Sequence, residues 1–192
     1  MKQQPNKAAF IDRDGNLIHE VGYISDIKKV KMYSRSIKAL QLLKANGYKV
    51  IVVTNQSGVA RGYIKESFVK DVHKHIDAIL KKHGLKIDGY YYCPHHAKKA
   101  KFKKYLVDCD CRKPKTGMIK AAQEKFNIGT KESFVIGDKL TDVHLGKNAK
   151  MKTALVLTGY GKKEKLLIKE THDRPDFIAK DFYQAVRLLI KR

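Results

Sequence analysis

Short apolar runs alternate with longer amphipathic stretches along the length of this chain. Residues 50–53 form a run typical of a buried strand, whereas residues 65–83 carry apolar side chains at helical spacing. This alternation favours a parallel sheet, because parallel strands need crossover connections, which are usually helices. We therefore predict an α/β fold with a three-layer, Rossmann-like parallel sheet.

The pattern predicts five strands and four helices. The predicted strands cover residues 8–11, 50–53, 87–92, 134–136 and 153–157; the predicted helices run from residue 37 to a stop at Gly47 and over residues 65–83, 118–126 and 182–190. A chain of 192 residues suits one well-buried domain better than two, so we expect a single domain over residues 1–192. The irregular segment at residues 93–115 is too long for a simple connection and indicates a function.

The formal net charge of +22 predicts attraction to polyanions or to phosphorylated metabolites. The densest basic run, residues 98–104, holds five lysines and a single aromatic residue, Phe102, so a solvated loop is the simpler interpretation. A nucleic-acid partner stays open but is not favoured.

The sequence has no apolar run long enough to cross a membrane and no signal-peptide pattern near Met1, and its three cysteines do not suit a secreted disulfide framework. We expect a cytoplasmic protein without membrane insertion.

Asp12 and Asp14 lie one residue apart where the first apolar run ends. Alternate side chains of an extended strand point the same way, so these carboxylates should converge at the carboxyl end of the strand, where open α/β sheets bind ligands. Two close carboxylates need a cation or a shared proton. Taken alone, the pair could be an exposed Asp-Gly turn; the rest of the chain argues against this.

Two further polar clusters follow predicted strands, at residues 54–58 and 137–142, and Arg112-Lys113-Pro114 adds a basic group. Together they suit phosphoryl transfer, in which a cation and a lysine neutralise negative charge. Asp12 would be the nucleophile that forms an aspartyl-phosphate, and Asp14 the general acid and then the general base. Lys113 would neutralise charge, and Thr54 would donate to the phosphoryl group. The predicted Mg²⁺ ligands are Asp12, Asp14 and Asp138.

Four residues inside the irregular segment have the spacing of a structural zinc site. They are Cys93, His95, Cys109 and Cys111. A Cys₃His set supplied wholly by protein can fold a segment, here residues 93–111, that has little apolar content. His96 could compete as the fourth ligand, but the C-x-H spacing favours His95.

The motifs DRDGN, TNQSG, RKP and GDKLTD, in this order and spacing, resemble the haloacid dehalogenase (HAD) superfamily of phosphatases. The absence of a large insertion after the first strand resembles its capless members. Asn16 departs from the pattern, because the superfamily usually has threonine there; that position supports the loop and does not react. The motif CPH…CDCRKP resembles the branch that holds heptose-1,7-bisphosphate 7-phosphatases and histidinol-phosphate phosphatases. Thirteen residues separate His95 from Cys109, and a segment of this length resembles the heptose enzymes.

The resemblance implies a Mg²⁺-dependent monomer that hydrolyses the 7-phosphate of D-glycero-D-manno-heptose 1,7-bisphosphate, a small phosphorylated sugar, and so supplies precursors of the ADP-heptose of lipopolysaccharide cores. Two alternative activities are hydrolysis of histidinol phosphate and broad activity on small phosphate esters. An alternative of another class is a nucleic-acid-binding zinc module. The resemblance also implies substrate contacts at Glu20, Tyr23, Asn55, Gln56, Ser57, Arg112 and Lys139. Arg61 is a candidate for the distal phosphate on charge and position. Five histidines receive no predicted role: His19, His73, His75, His83 and His144.

Overall fold

Six parallel strands form one sheet in a computed structural model of the protein, which describes residues 4–169 and 173–191. The strands are β1 (Ala8–Ile11), β2 (Lys49–Asn55), β3 (Gly89–Cys93), β4 (Phe134–Gly137), β5 (Lys152–Val156) and β6 (Phe177–Ala179). Their order across the sheet is β3-β2-β1-β4-β5-β6. The predicted α/β class is confirmed.

Six α-helices connect or follow these strands in the described part of the chain. They are α1 (Ser36–Ala45), α2 (Glu66–Lys81), α3 (Gly117–Phe126), α4 (Leu140–Asn148), α5 (Gly161–Lys165) and α6 (Phe182–Ile190), with 3-10 turns at Ile27–Lys29 and Lys103–Tyr105. None of the helices within residues 4–169 and 173–191 is long and apolar enough to cross a membrane.

The helices cover both faces of the sheet, which gives three layers. In β1, Ala9 and Ile11 pack with α1, α2 and α6, whereas Ala8 and Phe10 pack with α3 and α4. Successive side chains of a strand point to opposite faces, so a strand covered on both sides must be apolar throughout. All four β1 residues are fully buried.

The strand order reverses at β1, because the chain adds β2 and β3 on one side and then returns to place β4 on the other. In register, Ile11 pairs with both Val52 and Ile136, so the residues after these three strands meet at one edge. Open α/β sheets bind ligands outside the carboxyl ends of the strands at such a switch point. No separate cap domain is inserted after β1: residues 12–35 hold turns, isolated bridges and one 3-10 turn.

The structure contains three elements that the pattern did not predict. Residues 140–142 of the polar cluster at residues 137–142 form the start of α4, α5 follows β5, and β6 extends the sheet beyond β5. β3 also begins two residues later than predicted, at Gly89.

Candidate active site

A pocket opens at the carboxyl edge of the sheet, above β1 and β2. Its walls come from the residues after β1, the end of β2 and the residues after it, Lys113, the start of α4, and Tyr160 before α5. Ten predicted site residues line it: Asp12, Asp14, Glu20, Tyr23, Thr54, Asn55, Gln56, Ser57, Lys113 and Lys139.

Lys113 lies buried at the floor of this pocket, between two carboxylates. Its Nζ is 2.9 Å from Asp12 Oδ1 and 2.6 Å from Asp142 Oδ1, and it donates to the Val53 carbonyl at 2.9 Å. Burial opposes the charge of Lys113, but the two carboxylates outweigh it, so its pKa is raised. The lysine therefore carries a fixed positive charge beside the predicted nucleophile.

Asn55, the last residue of β2, fixes the backbone of Lys113. Its Oδ1 accepts from the Lys113 N–H at 3.0 Å, and its Nδ2 donates to the Lys113 carbonyl at 3.2 Å. Because both polar atoms of this side chain are engaged, Asn55 supports the lysine even though it also lines the pocket.

Asp14 lines the pocket while donors hold its carboxylate from two directions. The Arg13 guanidinium contacts both carboxylate oxygens, and Gln56 Nε2 donates to Oδ2 at 2.8 Å. The same Gln56 nitrogen donates to Thr54 Oγ1 at 2.9 Å. The loops after β1 and β2 are thus tied together at the predicted general acid.

Three buried carboxylates, from Asp12, Asp138 and Asp142, have oxygen atoms within 4.8 Å of one another. Asp138 Oδ2 accepts from the Tyr160 N–H, but its Oδ1 is buried with no partner among the described residues. Burial, and then the charges of Asp12 and Asp142, raise the pKa of Asp138 to about 8. An unpartnered carboxylate oxygen among further oxygen donors fits a divalent cation such as Mg²⁺.

This cluster differs from the predicted Mg²⁺ set, because Asp142 lies where the side chain of Asp14 was expected. Arg13 and Gln56 engage the Asp14 carboxylate, which lies outside the cluster. Asp142 is itself engaged: Oδ1 binds Lys113 and Oδ2 accepts from the Lys139 N–H.

Gly15 and Gly159 allow the backbone to approach Asp138 closely. A Cβ at either glycine would collide with the Asp138 carboxylate, and both glycines have positive φ, +75° and +53°. Thr158 Oγ1 donates to the Gly15 carbonyl at 2.6 Å, which ties the two turns together. Glycine is required here for space as well as for conformation.

Glu20 and Lys139 face each other across the rim of the pocket, with Lys139 Nζ 3.6 Å from Glu20 Oε2. Burial raises the pKa of Glu20, although the charge of Lys139 opposes this. Lys139 Nζ also lies 4.4 Å from the Tyr160 ring centroid. Tyr23, nearly half exposed, completes the rim by packing edge-on against Tyr63.

The four predicted zinc ligands come together beside the pocket. Their ligand atoms lie within 4.8 Å of one another, and neighbouring pairs are 3.1 to 3.8 Å apart, near the roughly 3.8 Å between sulfur ligands of a tetrahedral zinc. His95 contributes Nδ1, whereas His96 Nδ1 accepts from the N–H groups of Lys98 and Lys99. The geometry therefore favours His95 over His96 as the fourth ligand.

Comparisons with known proteins agree with this geometry. Residues 110–185 match a family model described as HAD-hydrolase-like. D-glycero-beta-D-manno-heptose-1,7-bisphosphate 7-phosphatase of Pasteurella multocida is 47% identical over 154 residues, which are 80% of this chain and 83% of the relative. This chain belongs to the HAD-like family of phosphatases.

A second relative agrees with that family, and two solved structures share the fold. D-glycero-D-manno-heptose-1,7-bisphosphate 7-phosphatase of Chlorobaculum tepidum is 35% identical over 94% of this chain and 92% of its own. A crystal structure of D,D-heptose 1,7-bisphosphate phosphatase from B. bronchiseptica, with magnesium and phosphate, has a TM-score of 0.84 at 24% identity and covers 95% of this chain and 97% of its own. The crystal structure of a HAD-like phosphatase from Mesorhizobium loti has a TM-score of 0.79 at 28% identity. The match covers 97% of this chain and 88% of the Mesorhizobium loti chain.

Two predicted substrate residues of this HAD-like phosphatase lie outside the pocket lining. Arg61 Nη2 is 3.3 Å from His96 Nε2, and Arg112 Nη1 donates to the His95 carbonyl at 3.1 Å. Both arginines are therefore associated with the zinc segment next to the pocket, and neither lies on its wall.

Sequence reasoning missed several residues of this phosphatase site. Thr141 and Tyr160 line the pocket, and Asp142 joins the acidic cluster, yet none was predicted as a site residue. His73, given no predicted role, is buried against Arg13. Asp142 was detectable, because the motif GDKLTD contains it. The Arg13–His73 contact joins residues 60 positions apart and had no local signal.

Proposed function

We propose that this HAD-like phosphatase removes the 7-phosphate of D-glycero-D-manno-heptose 1,7-bisphosphate, a step toward the ADP-heptose of lipopolysaccharide cores. One observation supports the proposal above all: Asp12 Oδ1 lies 2.9 Å from Nζ of the buried Lys113, in a pocket that Asp14 also lines. The relatives at 47% and 35% identity, both named for this substrate, support the choice of sugar.

Two half-reactions use the same two aspartates. In the first, an Asp12 carboxylate oxygen attacks phosphorus, the bond to the ester oxygen breaks, and Asp14 gives that oxygen its proton. In the second, Asp14 takes a proton from water, whose oxygen attacks phosphorus and releases Asp12. Lys113 and the Thr54 hydroxyl provide a positive charge and a donor around the phosphoryl group.

Mg²⁺ would be held by Asp12 and Asp138, whose unpartnered Oδ1 supports this assignment. The ion would supply positive charge that screens the nucleophile from the phosphate. Zn²⁺ at Cys93, His95, Cys109 and Cys111 would be structural, because all four positions are filled by protein.

The distal phosphate would bind beside the zinc segment, at Arg61, His96 and Arg112. His96 Nδ1 accepts two backbone N–H groups, so the neutral ring carries its proton on Nε2, which faces Arg61 Nη2. Both atoms are then donors, and Arg61 Nε is also buried without a partner among the described residues. Donors crowded together in this way favour an anionic acceptor between them.

We further propose that residues 1–192 act as one domain, as a monomer in the cytoplasm. Continuous burial from β1 through both helical layers supports the single domain.

Phosphate release with Mg²⁺ tests this function directly. We would compare both anomers of the heptose bisphosphate with histidinol phosphate, using wild-type protein, Asp12→Asn, and Asp71→Asn as a matched exposed control. We expect a clear kcat/KM advantage for one heptose anomer, no turnover by Asp12→Asn, and unchanged turnover by Asp71→Asn. A preference for histidinol phosphate would overturn the substrate, and turnover by Asp12→Asn would overturn the mechanism. A filter-binding titration with single-stranded RNA at physiological salt should show no tight binding.

A further inference from the structure

Arg13 is almost completely buried although it lies between two residues of the pocket floor. Its side chain is 2% exposed, whereas Asp12 and Asp14 on either side line the pocket. Its Nε and Nη2 lie 3.0 to 3.3 Å from both carboxylate oxygens of Asp14. A forked contact of this kind fixes the orientation of a carboxyl group as well as its position.

His73 of α2 contacts the other end of the same guanidinium. Its Nε2 is 3.3 Å from Arg13 Nη1. Arginine has only donors, so Nε2 must accept and the ring proton must sit on Nδ1. Burial, together with the charge of Arg13, lowers the pKa of His73 to about 3, which keeps the imidazole neutral and able to accept.

His73 is in turn held by β3. Its ring stacks on Tyr90, with centroids 4.3 Å apart and planes 13° apart, and the Tyr90 hydroxyl donates to Asp77 of α2 at 2.8 Å. The side chain of Asp14 is therefore connected through Arg13 to two elements of the core. An exposed aspartate at a turn would not need such support.

We propose that Arg13 and His73 form a buried clamp that keeps the Asp14 carboxyl aimed at the leaving-group oxygen, and that both are positioning residues of the phosphatase reaction. The inference rests on the role of Asp14 in the proposed function. The clamp exchanges no proton: Asp14 donates one to the ester oxygen as the P–O bond breaks, and later accepts one from water. Arg13 and His73 hold Asp14 through both steps.

The dependence on leaving group tests this clamp in His73→Leu. A sugar alkoxide is a strong base and needs a proton to leave, whereas p-nitrophenolate is a weak base and leaves without one. kcat/KM reports the steps up to departure of the leaving group. We expect kcat/KM on heptose bisphosphate to fall about ten- to a hundredfold, the range in which displaced catalytic groups lose effect. On p-nitrophenyl phosphate the loss should stay within about threefold.

Three further variants separate positioning from folding. His75→Leu changes the same residue type two positions along α2 and should leave both substrates unaffected. His73→Gln places an amide oxygen near the position of Nε2 and should restore most of the lost selectivity. Arg13→Lys keeps the charge, loses the forked contact, and should show the same dependence on leaving group without altering α2.

Equal losses on both substrates, or no loss on either, would overturn the clamp. Failure of the proposed substrate would appear separately, as wild-type protein that does not hydrolyse heptose bisphosphate. In that case fructose 1,6-bisphosphate, or another alkyl phosphate that the wild type hydrolyses, replaces it in the same comparison. Thermal melts of every variant identify any that fail to fold.

Discussion

Lys113 is the residue on which the electrostatics of the pocket floor depends, because it stands between Asp12 and Asp142. Lys113→Met would leave two buried carboxylates unpaired, so we expect turnover to be lost and the free energy of unfolding to fall by about 3–5 kcal/mol. Urea melts without Mg²⁺ at neutral pH measure this. Lys115→Met, which removes an exposed partner of Asp108, is the matched control and should change little. Equal stability of the two variants would contradict the prediction.

Asp138 predicts how the stability of the Mg²⁺-free protein depends on pH. Its pKa of about 8 in the folded protein exceeds the ordinary 3.8, and burial also raises the pKa of Asp142 to about 6. Between pH values of about 4 and 8 the folded state binds more protons than the unfolded state. The free energy of unfolding therefore falls as the pH rises through this range. Urea melts in Mg²⁺-free buffer should show this fall, and stabilisation by added Mg²⁺ should grow with pH.

Asp138→Asn provides the control for that titration. The amide has no charge to desolvate, so the fall in stability with pH should be much shallower, and Mg²⁺ should stabilise this variant less. A variant with the pH profile of the wild type would show that other groups cause the effect.

Residues at strand ends could be predicted from the sequence, whereas side-chain partners could not. Asp12 lies with Thr54 in one pocket and with Asp138 in one cluster because parallel strands bring their carboxyl ends to one edge, a consequence of order and spacing. The pairing of Arg13 with His73 depends on how α2 is rotated against the sheet, which no local pattern encodes. Arg112 donates to the His95 carbonyl of the zinc segment, whose path has no periodic signal, so its place off the pocket wall could not be predicted either.

The zinc segment at residues 93–111 has little regular structure beside the site. It contains one 3-10 turn, and its contacts include a Tyr105 hydroxyl that donates to Glu66 at 2.7 Å. Burial raises the pKa of the Cys93 and Cys111 thiols, so a cation is needed to hold them as thiolates. Lys113 follows Cys111 by two positions, so we expect the position of this lysine in the pocket to depend on an ordered zinc segment.

Removal of zinc should therefore expose this segment to protease. Residues 98–104 contain five lysines, and trypsin cleaves after lysine, so tryptic cleavage here reports whether the segment is exposed. We expect chelated protein, or Cys109→Ser, to be cut there much faster than metal-loaded protein and to lose activity in parallel. Cleavage near the exposed lysines of α5 should be unchanged and serves as the internal control. Protection that survives loss of the metal would show that the segment holds its shape unaided.

The elements that the sequence missed have weak patterns for physical reasons. The buried face of α4 includes Asp142 and Gly146, so the helix lacks a clear apolar stripe. A Cβ at Gly146 would collide with Thr153, which explains a glycine inside a helix. β6 has three residues, too few for a period to be recognised. By contrast, α6 was predicted at its observed bounds because its apolar spacing is regular.

The net charge of +22 is spread along the chain, so it should act as a long-range field. A bisphosphate carries roughly twice the charge of a monophosphate, so its capture should depend more on that field. We expect kcat/KM for heptose bisphosphate to fall more steeply with ionic strength than kcat/KM for p-nitrophenyl phosphate, at constant Mg²⁺, with kcat unchanged. Screening shortens the reach of the field to about 8 Å at physiological salt.

Lysines far from the pocket distinguish this field from direct contacts. Lys81 and Lys82 end α2 and Lys125 lies near the end of α3; these helices run opposite to the strands, so all three lysines lie toward the other edge of the sheet. Replacing all three by glutamate should lower kcat/KM for the bisphosphate about two- to fivefold at low salt, with the difference vanishing at high salt. An unchanged salt dependence would mean that capture is set by pocket residues such as Lys139 alone. A loss that persists at high salt would point to damage to the fold, which thermal melts would reveal.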